Sequence, residues 1–150
     1  MKTVILVLTL SLFLCGTAVA QGGLVSVKSS HDVAVTANRL EKALKDKGVT
    51  LFARIDHAEG ARSIGQALKP TLLLIFGNPA LGTPLIQRSR TMAIDLPLKA
   101  LIWEDRSGQV WLSYNAPDYL ARRHGVTEMQ DVIQKMQQAL SNFTTIATQP

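Results

Sequence analysis

The stretch Pro70-Thr-Leu-Leu-Leu-Ile-Phe-Gly-Asn-Pro-Ala-Leu-Gly-Thr-Pro84 constrains the fold more than any other. Its apolar run from Leu72 to Gly77 is too short to cross a bilayer, which takes about 20 residues of helix, and too uniformly apolar for a strand with one wet face. It reads as a strand buried on both faces and stopped by Gly77-Asn78-Pro79. Thr83 then offers a hydroxyl N-cap and Pro84 a preset φ for the first helical position, so a helix is expected to start there. Strand, tight turn and capped helix make the centre of the fold. The stretch itself holds no nucleophile, base or metal cluster.

Ahead of it, Met1-Lys2, an apolar run from Val4 to Cys15 and Ala18-Val19-Ala20 have the form of a secretory signal. The marks are a positive start, a short apolar core and small residues before the cut. Cleavage is expected between Ala20 and Gln21, which leaves residues 21–150 as a single domain in the periplasm or outside the cell, with no stable membrane anchor. The apolar run is short for an anchor, and Leu14 stands where a lipid-modified Cys15 would want a small residue. Losing residues 1–20 removes Lys2 and the one cysteine, and leaves 15 Lys and Arg against 11 Asp and Glu. Without cysteine there is no disulfide, thiol nucleophile or Cys-ligated metal. The positive charge is scattered, with no Lys/Arg run and few rings for stacking, so nucleic acid is not an expected partner.

Leu24 to Lys28 alternates like a strand. Val33, Ala37, Leu40 and Leu44 fall on one face of a helix that Ser29, Ser30 or Asp32 could cap and Gly48 ends. Thr50 to His57 reads as a second strand, with Leu51, Ala53 and Ile55 on one side and Phe52, Arg54 and Asp56 on the other. Residues 58–68 form a loop or a weak helical turn. A helix from Pro84 to about Ile94 follows the central strand. Lys99–Asp105 and Val110–Asn115 make a hairpin through Arg106-Ser107-Gly108. The simplest register groups Leu101 and Trp103 with Val110, Leu112 and Tyr114, and Ile102 and Glu104 with Trp111 and Ser113. A short helix from Pro117 to His124 ends at Gly125. Thr127-Glu-Met-Gln130 has the form of a capping box, and Met129, Val132, Ile133, Met136, Leu140 and Phe143 stripe the last helix. The tail from Thr144 is expected to fray. This order gives an α+β fold: an antiparallel sheet of about five strands packed on helices, with an extra helix after the third strand.

Gly77 and Gly82 have the spacing of a phosphate-binding P-loop, but Thr83 stands where that loop needs lysine and Pro84 removes a donor, so the pair reads as a turn. Asp56-His57 is the most catalytic-looking pair, yet neighbours in a strand point to opposite faces, and no Gly-x-Ser-x-Gly supplies a nucleophile. His124, after Arg122-Arg123, suits a helix C-terminus. The histidines are not spaced for a metal, and no acidic loop resembles a calcium site. No cofactor is expected.

The chain resembles the family called domain of unknown function 302 from about Leu24 to Val126. The likeness rests on Phe52-Ala-Arg-Ile-Asp-His57, Leu74-Ile-Phe-Gly-Asn-Pro79, Gly82-Thr-Pro-Leu85, Asp95-Leu-Pro-Leu98, Trp103-Glu-Asp105 and Asn115-Ala-Pro-Asp-Tyr-Leu-Ala-Arg-Arg-His124. It implies a β-α-β(4)-α domain of the TATA-binding-protein-like class that pairs as a homodimer, and it brings no activity or catalytic residues. The signal and the helix from Thr127 fall outside the shared stretches.

The reading that follows is an exported module that pairs with itself or binds a small polar ligand. Its site is expected on the sheet face bearing Phe52, Arg54, Asp56, Glu104 and Trp111, where two rings, an arginine and two carboxylates would be left uncovered. The alternative is a small hydrolase or isomerase that uses Asp56, Glu104 and His57 as acid and base groups.

Overall fold

A computed structural model describes residues 19–150. The expected leader, residues 1–20, lies outside the described residues apart from Val19 and Ala20. The strands are β1 (Val19–Gln21), β2 (Leu24–Lys28), β3 (Thr50–Asp56), β4 (Thr71–Gly77), β5 (Leu98–Glu104) and β6 (Val110–Asn115). The helices are α1 (Val33–Asp46), α2 (His57–Ser63), α3 (Pro79–Arg88), α4 (Pro117–Arg123) and α5 (Gln130–Thr148), with a 3-10 turn at Arg90–Ile94. All strands pair antiparallel in the order β1-β2-β6-β5-β4-β3. Five longer strands thus carry a three-residue edge strand, and the fold is α+β. The expected cut between Ala20 and Gln21 falls within β1.

α1 and α5 lie together over one sheet face. Leu40 and Leu44 of α1 and Leu140 and Phe143 of α5 pack with Leu72, Leu74, Phe76, Ile102 and Leu112 of the strands. Asp32 caps α1, its Oδ1 accepting from the Val35 N–H at 2.7 Å. A second cluster at the end of the sheet joins Leu85 and Met92 to Leu120, Val126, Ile133 and Met136.

β4 is not buried on both faces. Leu72, Leu74 and Phe76 are buried under the helices, while Leu73 and Ile75 are half-buried on the other side. The helix after it begins earlier than expected, because Asn78 caps it (Oδ1 to Ala80 N–H, 2.9 Å) and Pro79 takes the first helical position. Pro84 therefore lies inside α3, and the chain re-forms as the 3-10 turn before β5.

The hairpin register differs by one residue from the simplest one. Trp103 stands opposite Trp111, Ile102 opposite Leu112 and Glu104 opposite Val110. Five residues, Asp105–Gln109, make the turn, because Asp105 Oδ1 accepts the Ser107 and Gln109 N–H groups at 2.8 and 3.0 Å. The core face of β5 is accordingly Ala100 and Ile102, and both tryptophans face away from the core. β3 changes parity too. A bulge between Leu51 and Ala53 turns Ala53 and Ile55 to the tryptophan side, while Arg54 and Asp56 pair with Leu74 and Leu72 on the helix side.

Residues 57–63 are helical because Asp56 caps them (Oδ1 to Glu59 N–H, 2.9 Å). The capping box at Thr127–Gln130 does not form: Met129 precedes α5 with φ 69°, and Gln130 Nε2 donates to the Thr127 carbonyl at 3.1 Å. The tail does not fray, since Arg39 donates to the carbonyls of Ile146 and Gln149 and Ser30 N–H donates to that of Thr148.

Candidate functional site

The five expected site residues fall in three places. Arg54, Asp56 and Glu104 line one cavity of about 350 Å³ on the helix side, together with Asp32 and Arg62. Phe52, the bulge residue, stands at the rim of a different cleft and is 55% exposed. Trp111 lies on the opposite face of the sheet. The sheet face expected to unite them does not exist, because the bulge and the five-residue turn each shift parity by one.

The groups in the charged cavity are already engaged. Arg54 Nη1 donates to Asn38 Oδ1 at 2.9 Å and to Glu41. Glu104 Oε1 accepts from Lys69 Nζ at 2.6 Å, and Asp56 Oδ1 is the α2 cap. His57 is exposed at the first position of α2 and does not line the cavity. Asp56 and Glu104 thus share a concavity, with one oxygen of each carboxylate committed to a structural contact.

The other sheet face is built around the tryptophans. Their ring centroids are 6.5 Å apart with planes inclined at 23°. Trp103 Nε1 donates to Ser113 Oγ (2.9 Å), which also meets Ser26 Oγ (2.7 Å). Trp111 Nε1 donates to Asp105 Oδ2 (2.9 Å), and Lys28 Nζ lies 5.5 Å from the Trp111 ring centre. The Ser107 hydroxyl first, and then this indole, hold the Asp105 carboxyl at about 2, below its ordinary 3.8. Each indole is therefore fixed at its nitrogen while its ring stays half-exposed. Leu73, Ile75 and Leu101 continue the face across β4 and β5, and Ile55 ends it on β3. Both core clusters lie on the other side of the sheet.

Sequence reasoning also missed the pairing of Asp95 with His124. His124 Nε2 lies 2.6 Å from Asp95 Oδ2, and Nδ1 lies 2.9 Å from Thr91 Oγ1. A carboxylate only accepts, so Nε2 carries a proton and, in the neutral ring, Nδ1 accepts from the threonine. The histidine side chain is 6% exposed and lines neither cavity. The pair fastens the end of α4 to the 3-10 turn. Both residues lie in stretches that carry the family resemblance, but 29 positions apart, a spacing that points to no contact. Among the described residues there is no group of three or more His, Cys, Asp or Glu placed to hold a metal. No helix among them is long and apolar enough to cross a membrane.

The family model for Domain of unknown function DUF302 matches residues 25–143. The chain belongs to the DUF302 family. The match runs through most of α5, which sequence reasoning had placed outside the shared region. A crystal structure of an uncharacterized conserved DUF302 protein from Bacillus stearothermophilus superposes with a TM-score of 0.75 at 17% identity, covering 83% of this chain and 98% of that one. At that identity the likeness is one of fold. Among curated proteins, the chain is 48% identical over 115 residues to fluoride-specific ion channel FluC 1 of Brucella suis, and 48% identical to FluC 1 of Brucella abortus. The match covers 77% of this chain but only 45% and 43% of those proteins. The chain thus spans under half the length of the curated relatives it matches.

Proposed function

We propose that this DUF302 chain is a non-catalytic interaction module that works through the tryptophan face of its sheet and pairs there with a second copy. The stacked Trp103 and Trp111, in the middle of a half-exposed apolar face, carry this reading. Rings fixed at their nitrogens present area at little conformational cost, which is the character of an interface anchor. The face also carries Lys28 and Asp105 beside Trp111, so a two-fold arrangement can set opposite charges against each other. The rival hydrolase or isomerase reading is disfavoured, because one oxygen of each carboxylate holds a structural contact and the exposed His57 does not line their cavity.

Export is part of the proposal. Its support is the lysine, apolar run and Ala-x-Ala of residues 1–20, and intact-mass analysis of fractionated cells tests it. A mature chain starting at Gln21 is expected; a chain still carrying Met1 would contradict it.

The curated relatives favour a second reading, in which the same face docks on a membrane partner of the fluoride-channel type. Conduction needs membrane-spanning helices or a closed barrel. The described residues form an open sheet and hold no membrane-crossing helix, so in this reading the module accompanies the channel and does not form it. Acrylamide quenching of tryptophan fluorescence separates the two readings. Self-pairing shields the indoles as protein concentration rises, whereas a module awaiting another partner shows concentration-independent quenching.

A further inference from the structure

We propose that the apolar cleft between α3 and α5 is a binding site for a small uncharged hydrophobic molecule with one hydrogen-bonding end. This site is separate from the tryptophan face and does not depend on it. The cleft encloses about 250 Å³. That exceeds the ~150 Å³ of a cavity able to take up benzene and falls just below the ~300 Å³ where pockets for drug-sized ligands begin. A single aromatic or bicyclic ring system is the scale it fits.

The lining fixes the chemical class. Phe76, Leu140 and Phe143 bound it on the sheet and α5 side, and Leu81, Ile86 and Leu96 on the other. Asn78 and Thr83 bring the only polar side chains, and no charged side chain lines it. A carboxylate or ammonium group in the cleft would lose its water without gaining a partner. A neutral ring with one donor or acceptor loses little.

The cleft lies at the seam between the two packed clusters of the core. Gly82 keeps it open. Glycine in a helix interior is less favourable than alanine, and Gly82 sits inside α3. A Cβ there would meet Leu96 Cδ1 at 3.6 Å, an ordinary contact. No clash demands glycine at this position; what the missing methyl leaves is room in the cleft. Phe52 adds an exposed ring at the rim. Four of the stretches through which the chain resembles its family, around Phe52, Gly77, Gly82 and Pro97, meet here.

The test is a titration of the full chain with indole, a neutral ring with one N–H, read by thermal melting and by methyl NMR at Met136 and Leu140. Indole is expected to raise the melting temperature saturably and to shift the Met136 methyl, while benzoate, of similar size but charged, does neither. Gly82→Ala should melt at or above the wild-type temperature yet bind indole at least tenfold more weakly, and Ala139→Leu should abolish the shift. Three results would overturn the proposal: no indole response, wild-type indole affinity in both variants, or indole shifts confined to the Trp103 and Trp111 rings. A cleft that fills only on self-association, with Ala139→Leu abolishing the pairing, would also overturn it by making a second copy the occupant.

Discussion

Trp103 and Trp111 stand directly opposite each other on β5 and β6 and face away from the core, while Ile102 and Leu112, one residue along, are 0% and 1% exposed within it. The energetic weight of the hairpin therefore lies with the aliphatic pair. In urea unfolding at low protein concentration, Ile102→Ala is expected to lower stability by about 2–5 kcal/mol. Trp103→Ala should fall well short of the ~3–5 kcal/mol of a core tryptophan, because its ring is half-exposed and Ser113 keeps Ser26. The reverse order would place the tryptophans in the core.

Asp105 makes the hairpin sensitive to acid. Its carboxyl is lowered in the folded chain from 3.8 to about 2, chiefly by the Ser107 hydroxyl and then by the Trp111 indole. A lowered carboxyl contributes stability that is fully present above its unfolded pKa and is lost as pH falls through the folded one. Stability should thus decline between about pH 4 and about pH 2. Asp105→Asn should flatten that decline and leave the pH dependence above pH 5 unchanged, as measured by denaturant melts across the range. An identical acid limb in both proteins would show that Asp105 does not set the acid sensitivity of the hairpin.

Gly22 and Gly23 look alike in the sequence and differ in the fold. Both have positive φ, 59° and 89°. A Cβ on Gly22 meets nothing within 4 Å, whereas one on Gly23 would lie 2.2 Å from the Tyr119 ring. Gly22→Ala is expected to lower stability by about 1–2 kcal/mol, the penalty of the left-handed region. Gly23→Ala should lose that and a further 1–3 kcal/mol or so as the ring is displaced. Thermal melts of the two variants rank them, and equal losses would contradict the packing of α4 on the β1–β2 turn.

The Asp95–His124 pair gives a further contrast. Asp95→Ala leaves the nearly buried Nε2 donor of His124 without its acceptor, at about 1–3 kcal/mol. Thr91 is exposed, so Thr91→Val, whose lost partner water can replace, should change stability by less than about 0.5 kcal/mol. Chemical denaturation decides whether this order holds.

Periodicity made the layers legible in the sequence. The stripes Val33–Leu44 and Ile133–Phe143 mark the two covering helices, and the apolar run from Leu72 marks β4, which lies one strand in from the edge and not at the centre of the sheet. Local side-chain choices were not legible. Asn78 and Thr83 both offer caps and each is followed by a proline, so nothing local chooses between them; in the fold Asn78 takes the Ala80 N–H and Pro84 falls inside the helix. The candidate face was misplaced because strand parity passes through single residues. The Phe52 bulge has no sequence mark, and whether the hairpin turn spans three residues or five rests on how many N–H groups Asp105 collects. The Asp95–His124 contact depends on the packing of α4 against the 3-10 turn, which no local spacing encodes.

Pairing of the chain through its tryptophan face is decided by sedimentation equilibrium of wild type beside Trp111→Ala. The wild-type chain is expected to sediment as a dimer. Trp111→Ala should dissociate about 30-fold more readily, the equivalent of ~2 kcal/mol at an interface hot spot, with its monomer melt largely intact. A wild-type chain that stays monomeric at millimolar concentration, or a dimer that Trp111→Ala leaves unchanged, would contradict the claim.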